Sequence, residues 1–389
     1  MIAAWINPAD NPLAPDFYRL LSHNFGPALA PFLVALAVTL ALVPVTRWLS
    51  FRVGAVAEPG GRNIHARPTG RLGGLALAAG FLVAGLLFGG GGSYPGRQVA
   101  GLLVITAVTT ALMAIDDIRT MRARDKFVLQ VLLALAVPTL AGIRIGFVNL
   151  GGGHVVQLGL LLGVPLTVVW LLGMQNTLNL LDGVDGLAGG VAAIVALALL
   201  LAAVNREQSS PDQLTVVLLC AALGGACLGF LVFNFHPAKI FMGDSGAHFL
   251  GMALGILSIF GIAKGAVVFA LFVPLTALLV PIADTGLAIV RRRRHGLSIA
   301  HPDTAHIHHQ LLDFGLSQRQ TCLVFYFATG ITSGLGLMLF GHRKILAVVV
   351  VLLVIALSTI LGDRLYELEF GAARPEAGAK PGELTREAG

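Results

Sequence analysis

Apolar residues along this 389-residue chain gather in long, nearly unbroken runs separated by short polar stretches. A hydrocarbon core of about 30 Å needs about 20 apolar residues in a helix. Eleven stretches reach or approach that length, near 28–49, 73–91, 98–115, 127–142, 158–175, 187–204, 214–235, 247–263, 266–290, 321–340 and 345–361. The fourth is short, and the eighth and ninth are divided by little more than Lys264-Gly265. None shows the sustained alternation of barrel strands, so helices are the predicted spanning element. Between the fourth and fifth runs, Ile143 to Leu158 carries short apolar segments around Gly151-Gly152-Gly153, the pattern of a small hairpin outside the bilayer. The expected fold is an all-α polytopic membrane protein of about eleven transmembrane helices with one small extracytoplasmic β-hairpin.

Three segments follow from this pattern. Residues 1–27, with Pro8, Pro12 and Pro15 and no basic start, read as an extracytoplasmic N-terminal segment and not as a signal peptide. Residues 28–361 form the membrane domain, with polar loops at 50–72, 116–126, 176–186, 236–246 and 291–320. Residues 362–389 read as a cytoplasmic tail, rich towards its end in Gly, Ala, Pro and charge and expected to be disordered.

Composition agrees: 56% of residues are hydrophobic and 12% charged, against roughly 25% charged in a soluble domain. That excludes a water-soluble fold, a disordered chain and a disulfide scaffold. Cys220, Cys227 and Cys322 lie in apolar stretches and read as packing residues. The net charge of +6 does not point to nucleic acid, because in a membrane protein the position of charge matters more than its sum. Of the 26 Lys and Arg, 19 fall on the loops at 47–71, 119–126, 239 and 291–319 and on the tail, and 7 on the opposite set. The excess places the first set in the cytoplasm, with the N-terminus outside and the C-terminus inside.

Sixteen of the 20 carboxylates fall on the same side, several where charge is unfavourable. Asp116-Asp117 ends the third run, where the helix dipole already presents negative charge. A bound magnesium ion would relieve both repulsions; pairing with Arg119 and Arg122 at a solvated helix end is the plainer alternative. The fifth run ends in Asn176-Thr-Leu-Asn179-Leu-Leu-Asp182-Gly-Val-Asp185-Gly, with no Lys or Arg between residues 145 and 205. Asn176 and Asn179 share a helix face, and Gly183 and Gly186 suggest a turn at Asp182. Acids left unpaired beside a membrane imply a binding role, unless Asp-Gly merely reverses the chain. Asp244, in Phe241-Met-Gly-Asp-Ser-Gly, either caps the eighth helix or holds a metal beside a phosphate-binding helix N-terminus.

The last long loop runs from Arg291-Arg292-Arg293-Arg294 to His306-Ile307-His308-His309. The arginines suit a topological anchor. The histidines lack the His-Glu-x-x-His spacing of a zinc site, and cationic side chains facing carboxylate-bound magnesium suit a diphosphate-linked substrate. Asp284, about 10 Å inside the ninth run, is functional by its depth.

These segments, in order over residues 45–330, resemble the polyprenyl-phosphate N-acetylhexosamine-1-phosphate transferases of glycosyltransferase family 4. The resemblance rests on His65-Ala-Arg-Pro-Thr-Gly-Arg71-Leu-Gly-Gly74, Asp116-Asp117 with Lys126 and Gln130, Asn176-x-x-Asn179-x-x-Asp182-Gly-x-Asp185-Gly, Phe241-Met-Gly-Asp244, Pro281-Ile-Ala-Asp284-Thr285 and Asp303-x-x-His306-Ile-His308-His309. Gly70 departs from it, standing where proline is expected.

The resemblance implies an eleven-helix bundle with a cytoplasmic site that moves a sugar 1-phosphate from a UDP-N-acetylhexosamine to undecaprenyl or another polyprenyl phosphate in the bilayer, releasing UMP. It implies Mg2+, with Mn2+ as a substitute, and a homodimer. It assigns the metal to Asp117 and Asp244 and makes Asp116 a base or nucleophile, with Asp182 and Asp185 in the same acidic set. Asn176, Asn179 and Asp182 would shape the nucleotide site, Phe241 would stack on uracil and Lys126 would meet a phosphate. Arg71, Asp284, His306, His308 and His309 complete the substrate contacts. The His-x-His-His form suits a small donor, GlcNAc above all; the peptidoglycan relative using UDP-MurNAc-pentapeptide is the alternative within the class. An ion-coupled transporter would instead place its acids near mid-span in two repeated halves.

Overall fold

A computed structural model describes residues 15–58, 68–91, 95–149, 155–207, 213–263 and 317–339. Within them the chain is largely helical: α1 (Pro15–Val53), α2 (Gly73–Phe88), α3 (Gly96–Ile118), α4 (Ala123–Ala136), α5 (Leu160–Leu181), α6 (Leu187–Glu207), α7 (Gln213–Asn234), α8 (Gly243–Ala263) and α9 (Gln318–Leu339). Among the described residues six helices are long and apolar enough to cross a membrane. The ninth and eleventh predicted runs lie outside the described residues.

Boundaries differ from the hydropathy reading where polar residues are helical. Helix α1 begins at Pro15, inside the segment expected to precede the membrane domain. The polar segment 176–186 begins within a helix that turns at Asp182, as its glycines suggest: α5 continues to Leu181, so Asn176 and Asn179 occupy its last two turns. A one-turn π-helix, Val137–Ala141, extends α4 and ends at Gly142 in the left-handed region. Beyond it, two strands, Phe147–Asn149 and Val155–Gln157, pair antiparallel, Val148 opposite Val156. The glycine-rich tip between them is outside the described residues.

Helix association in lipid depends on close packing of small residues, because lipid tails are as apolar as leucine. A Cβ on Gly225 would lie 2.1 Å from the Phe32 carbonyl oxygen, so α7 meets α1 backbone to backbone. Buried hydroxyls of Thr106, Thr109 and Thr110 are satisfied within α3 by carbonyls four residues back. Leu86, Leu161 and Val169 point outward, 74%, 90% and 66% exposed, as lipid-facing side chains do.

The helix ends nearest the acidic motifs are tied by a short extended crossing. Strand Val56–Ala57 pairs with Thr69–Gly70. Phe241 N–H donates to the Gly70 carbonyl at 2.8 Å, and Gly73 and Gly74 N–H donate to the carbonyls of Phe241 and Met242 at 3.0 and 2.9 Å. The departure at Gly70 has a steric reason: a Cβ there would lie 2.6 Å from Ser50 Cβ. Ser50 Oγ in turn accepts the Leu72 N–H at 3.2 Å.

Candidate active site

Asp116 and Asp117 close α3, where two carboxylates oppose its dipole. The fold answers that repulsion with its own groups. Asp117 Oδ1 accepts the Asp244 N–H at 2.8 Å and Oδ2 accepts the Ser245 N–H at 3.0 Å, so Asp117 caps the first turn of α8. The unfavourable end of one dipole thus meets the favourable end of another. The anion at this helix N-terminus is the protein's own, and these two N–H groups are not free for a phosphate as the sequence suggested. Gly243 permits the approach: its φ is +67°, and a Cβ would lie 2.2 Å from the Arg71 carbonyl oxygen and 2.6 Å from Asp117 Oδ1.

Asp116 is held differently. Its Oδ1 accepts the Met121 N–H, and its Oδ2 lies 3.1 Å from the Lys126 ammonium. Lys126 Nζ also lies 2.6 Å from Asp244 Oδ2. One lysine in the first turns of α4 therefore bridges the end of α3 and the start of α8, with 18% of its side chain exposed.

Asp182 ends α5 and is partly buried. Its carboxyl is pushed well above the ordinary carboxylate range, first by desolvation, then by the negative charges of Asp244 and Asp117, with Asp185 adding to them and Arg71 opposing. Asn176, one turn and a half earlier, donates from Nδ2 to Gln130 Oε1 at 3.1 Å and to the Leu172 carbonyl at 2.8 Å. Asn179 is partly buried near the helix end, and its carbonyl accepts the Asp182 N–H. Phe241 is partly buried in the loop before α8, its backbone hydrogen-bonded to Gly70 and Gly73 on either side of Arg71.

Asp185 belongs to a neighbouring cluster with backbone partners. Its Oδ2 meets His236 Nδ1 at 2.9 Å and accepts the Ala238 N–H at 3.0 Å. Asn234 ties the same turn, accepting the Gly186 N–H and donating to the Ile240 carbonyl. From α9, Tyr326 donates to the Gly186 carbonyl at 2.6 Å and Arg319 to the His236 carbonyl at 3.1 Å. Asp284, His306, His308 and His309 lie outside the described residues.

The structure thus joins Asp116, Asp117, Lys126, Asn176, Asp182 and Asp244, with Arg71 in their field, and sets Asp185 in a turn-holding role beside them. His248 was missed by the motif reading. It lies one turn beyond Asp244, completely buried, with Nε2 3.9 Å from Asp244 Oδ1 and 3.4 Å from Gln130 Nε2. An ionisable residue at i+4 from an acid within an apolar helix was the available signal.

Among the described residues no three His, Cys, Asp or Glu side chains converge as a ready metal cage. The donor chemistry still suits a hard cation. Asp117 and Asp244 offer carboxylate oxygens, the ligands a hard cation takes.

Fold and site together define a multi-pass helical membrane protein whose helix ends enclose an acidic site bridged by one lysine. Residues 99–262 match the family model of glycosyl transferase family 4. The chain is 36% identical over 296 residues, 76% of its length and 80% of the relative's, to a probable undecaprenyl-phosphate N-acetylglucosaminyl 1-phosphate transferase of Bacillus subtilis. It is 37% identical over 327 residues, 77% of its length and 79% of the relative's, to a decaprenyl-phosphate N-acetylglucosaminephosphotransferase of Mycolicibacterium smegmatis. A phospho-N-acetylmuramoyl-pentapeptide-transferase of a Synechococcus species is 32% identical over 320 residues, 78% of this chain and 88% of the relative. The chain belongs to glycosyl transferase family 4.

Proposed function

We propose that the protein transfers GlcNAc-1-phosphate from UDP-GlcNAc to undecaprenyl or another polyprenyl phosphate, giving a lipid diphosphate sugar and UMP, with the site on the cytoplasmic face. The observation that carries this reading is the Asp116–Lys126–Asp244 bridge above the Asp117 cap. It collects, at one end of the bundle, the carboxylates and the cation that phosphoryl transfer needs. Family membership and the likeness to the N-acetylglucosaminyl phosphate transferases of Bacillus and Mycolicibacterium support the acceptor and the sugar. The positive-inside bias supports the orientation.

An acceptor phosphate oxygen attacks the donor β-phosphorus as the bond to the bridging oxygen breaks, and UMP leaves with that oxygen's electron pair. A phosphate monoester with a second pKa of about 6 is already largely ionised, so the protein need only align it and offset charge. Asp116 sits to orient the acceptor or take its last proton. Lys126 trades a carboxylate for a phosphate oxygen, Arg71 offsets further charge, and Asn176 and Asp182 border the nucleotide. A magnesium ion held by Asp117 and Asp244, for which Mn2+ can substitute, would neutralise the diphosphate. The test is purified protein with polyprenyl phosphate and a panel of UDP-sugars, read as UMP. Release with UDP-GlcNAc supports the proposal; release with UDP-MurNAc-pentapeptide alone moves the enzyme to the peptidoglycan reading, and no release from any donor overturns it.

A further inference from the structure

The hydrogen-bond chain beneath the site has only one consistent direction. The Leu172 carbonyl only accepts, so the Asn176 atom 2.8 Å from it is the amide nitrogen. That nitrogen lies 3.1 Å from Gln130, whose facing atom must be its oxygen. Gln130 therefore turns its own amide nitrogen towards His248, 3.4 Å from Nε2. Two N–H groups cannot face each other, so His248 Nε2 carries a lone pair and the imidazole proton sits on Nδ1.

Two consequences follow. Both Asn176 amide hydrogens are spent inside the protein, leaving its Oδ1 as the group that can meet a ligand. His248 Nδ1–H, in turn, is buried and has no partner among the described residues. An orphaned buried donor destabilises the fold, and a leucine at this position would not carry it.

We propose that His248 is a positioning residue: its Nε2 is the buried acceptor that orients Gln130 and thereby fixes Asn176 with its carbonyl oxygen towards the site. The chain crosses α8, α4 and α5, the helices that also carry Asp244, Lys126 and Asp182. The site accordingly offers Asn176 as an acceptor, suited to an N–H or O–H of the bound donor. This rests on the transferase reading above.

The test separates hydrogen-bond position from shape. Gln places an oxygen where His has Nε2, Asn reaches only the place of Nδ1, and Leu supplies neither. His248→Leu and His248→Asn are expected to lose about tenfold in kcat/KM for the UDP-sugar, the worth of one hydrogen bond. His248→Gln should stay within about twofold of wild type. His248→Leu removes the orphaned Nδ1–H but leaves a Gln130 amide hydrogen without its acceptor, so its melting midpoint in detergent should stay near wild type while activity falls, a split between stability and activity that a packing role would not produce. Nitrogen chemical shifts of labelled His248 should report a bare Nε2, whatever the donor. Wild-type kcat/KM in His248→Leu, equal loss in His248→Gln, or a proton on Nε2 would each overturn the proposal. A wild-type enzyme inactive with every donor would count against the transferase reading instead, while the nitrogen spectrum still decides the orientation.

Discussion

Asp117 caps α8 and is proposed to hold the metal, and Asp117→Asn tells the two roles apart without any metal. In the native site both carboxylate oxygens accept backbone N–H groups of α8, at 2.8 and 3.0 Å. Asparagine retains one acceptor and turns an NH2 towards the other N–H. That leaves buried donors face to face, at about 1–3 kcal/mol, and removes the charge that complements the α8 dipole, worth about 1 kcal/mol. The expected loss is about 3 kcal/mol, or at about 2 °C per kcal/mol a fall of roughly 6 °C in the melting midpoint. The assay is thermal unfolding in detergent with chelator present. Asp244→Asn is the control: its side chain is 28% exposed and, among the described residues, its ion pair is with Lys126, so its loss should stay within about 1 kcal/mol. If metal-free Asp117→Asn melts with wild type, the cap is not holding α3 to α8.

With metal present, Asp117→Asn and Asp244→Asn should raise the magnesium needed for half-maximal turnover, whereas Asp116→Asn should lower kcat with that need unchanged; wild-type kinetics in all three at limiting magnesium would remove the metal assignment. Gly243→Ala forces a side chain into the left-handed region 2.2 Å from the Arg71 carbonyl and should cost about 2 kcal/mol or more, together with most activity; an unshifted melt would contradict the close approach. Asp182, raised in the fold, binds its proton more tightly there than in the unfolded chain. Its stabilising contribution is therefore complete below the ordinary value of 3.8 and is lost as pH rises through the folded value. Metal-free Asp182→Asn should show a flatter decline of melting midpoint on raising pH from 4 to about 8, and an unchanged slope would refute the assignment.

What the sequence revealed follows from range of interaction. Asn176 and Asn179 read correctly as one helix face because a three-residue spacing is local. The helix end at Asp182 was legible from Gly183 and Gly186, although hydropathy alone stops at the first amide while the backbone continues to Leu181. The Asp117 cap joins residues 127 positions apart, and no local pattern announces it. Nor does any local pattern reveal that Asp185 commits one carboxylate oxygen to His236 and Ala238. The expectation that Asp116-Asp117 needs a cation to relieve its dipole was sound physics with an incomplete inventory: Lys126 and α8 supply part of that relief themselves.

The most direct test of the central claim follows the donor's β-phosphorus. Purified protein in detergent is given UDP-GlcNAc labelled at that phosphorus, polyprenyl phosphate and magnesium, and the products are separated into lipid and water-soluble fractions. Transfer of a sugar 1-phosphate predicts label in a lipid diphosphate sugar, unlabelled UMP in equal amount, and no product without the lipid. Label remaining in water-soluble UDP while unlabelled sugar joins the lipid would contradict it, because the bond broken would then be the glycosidic one and not the diphosphate.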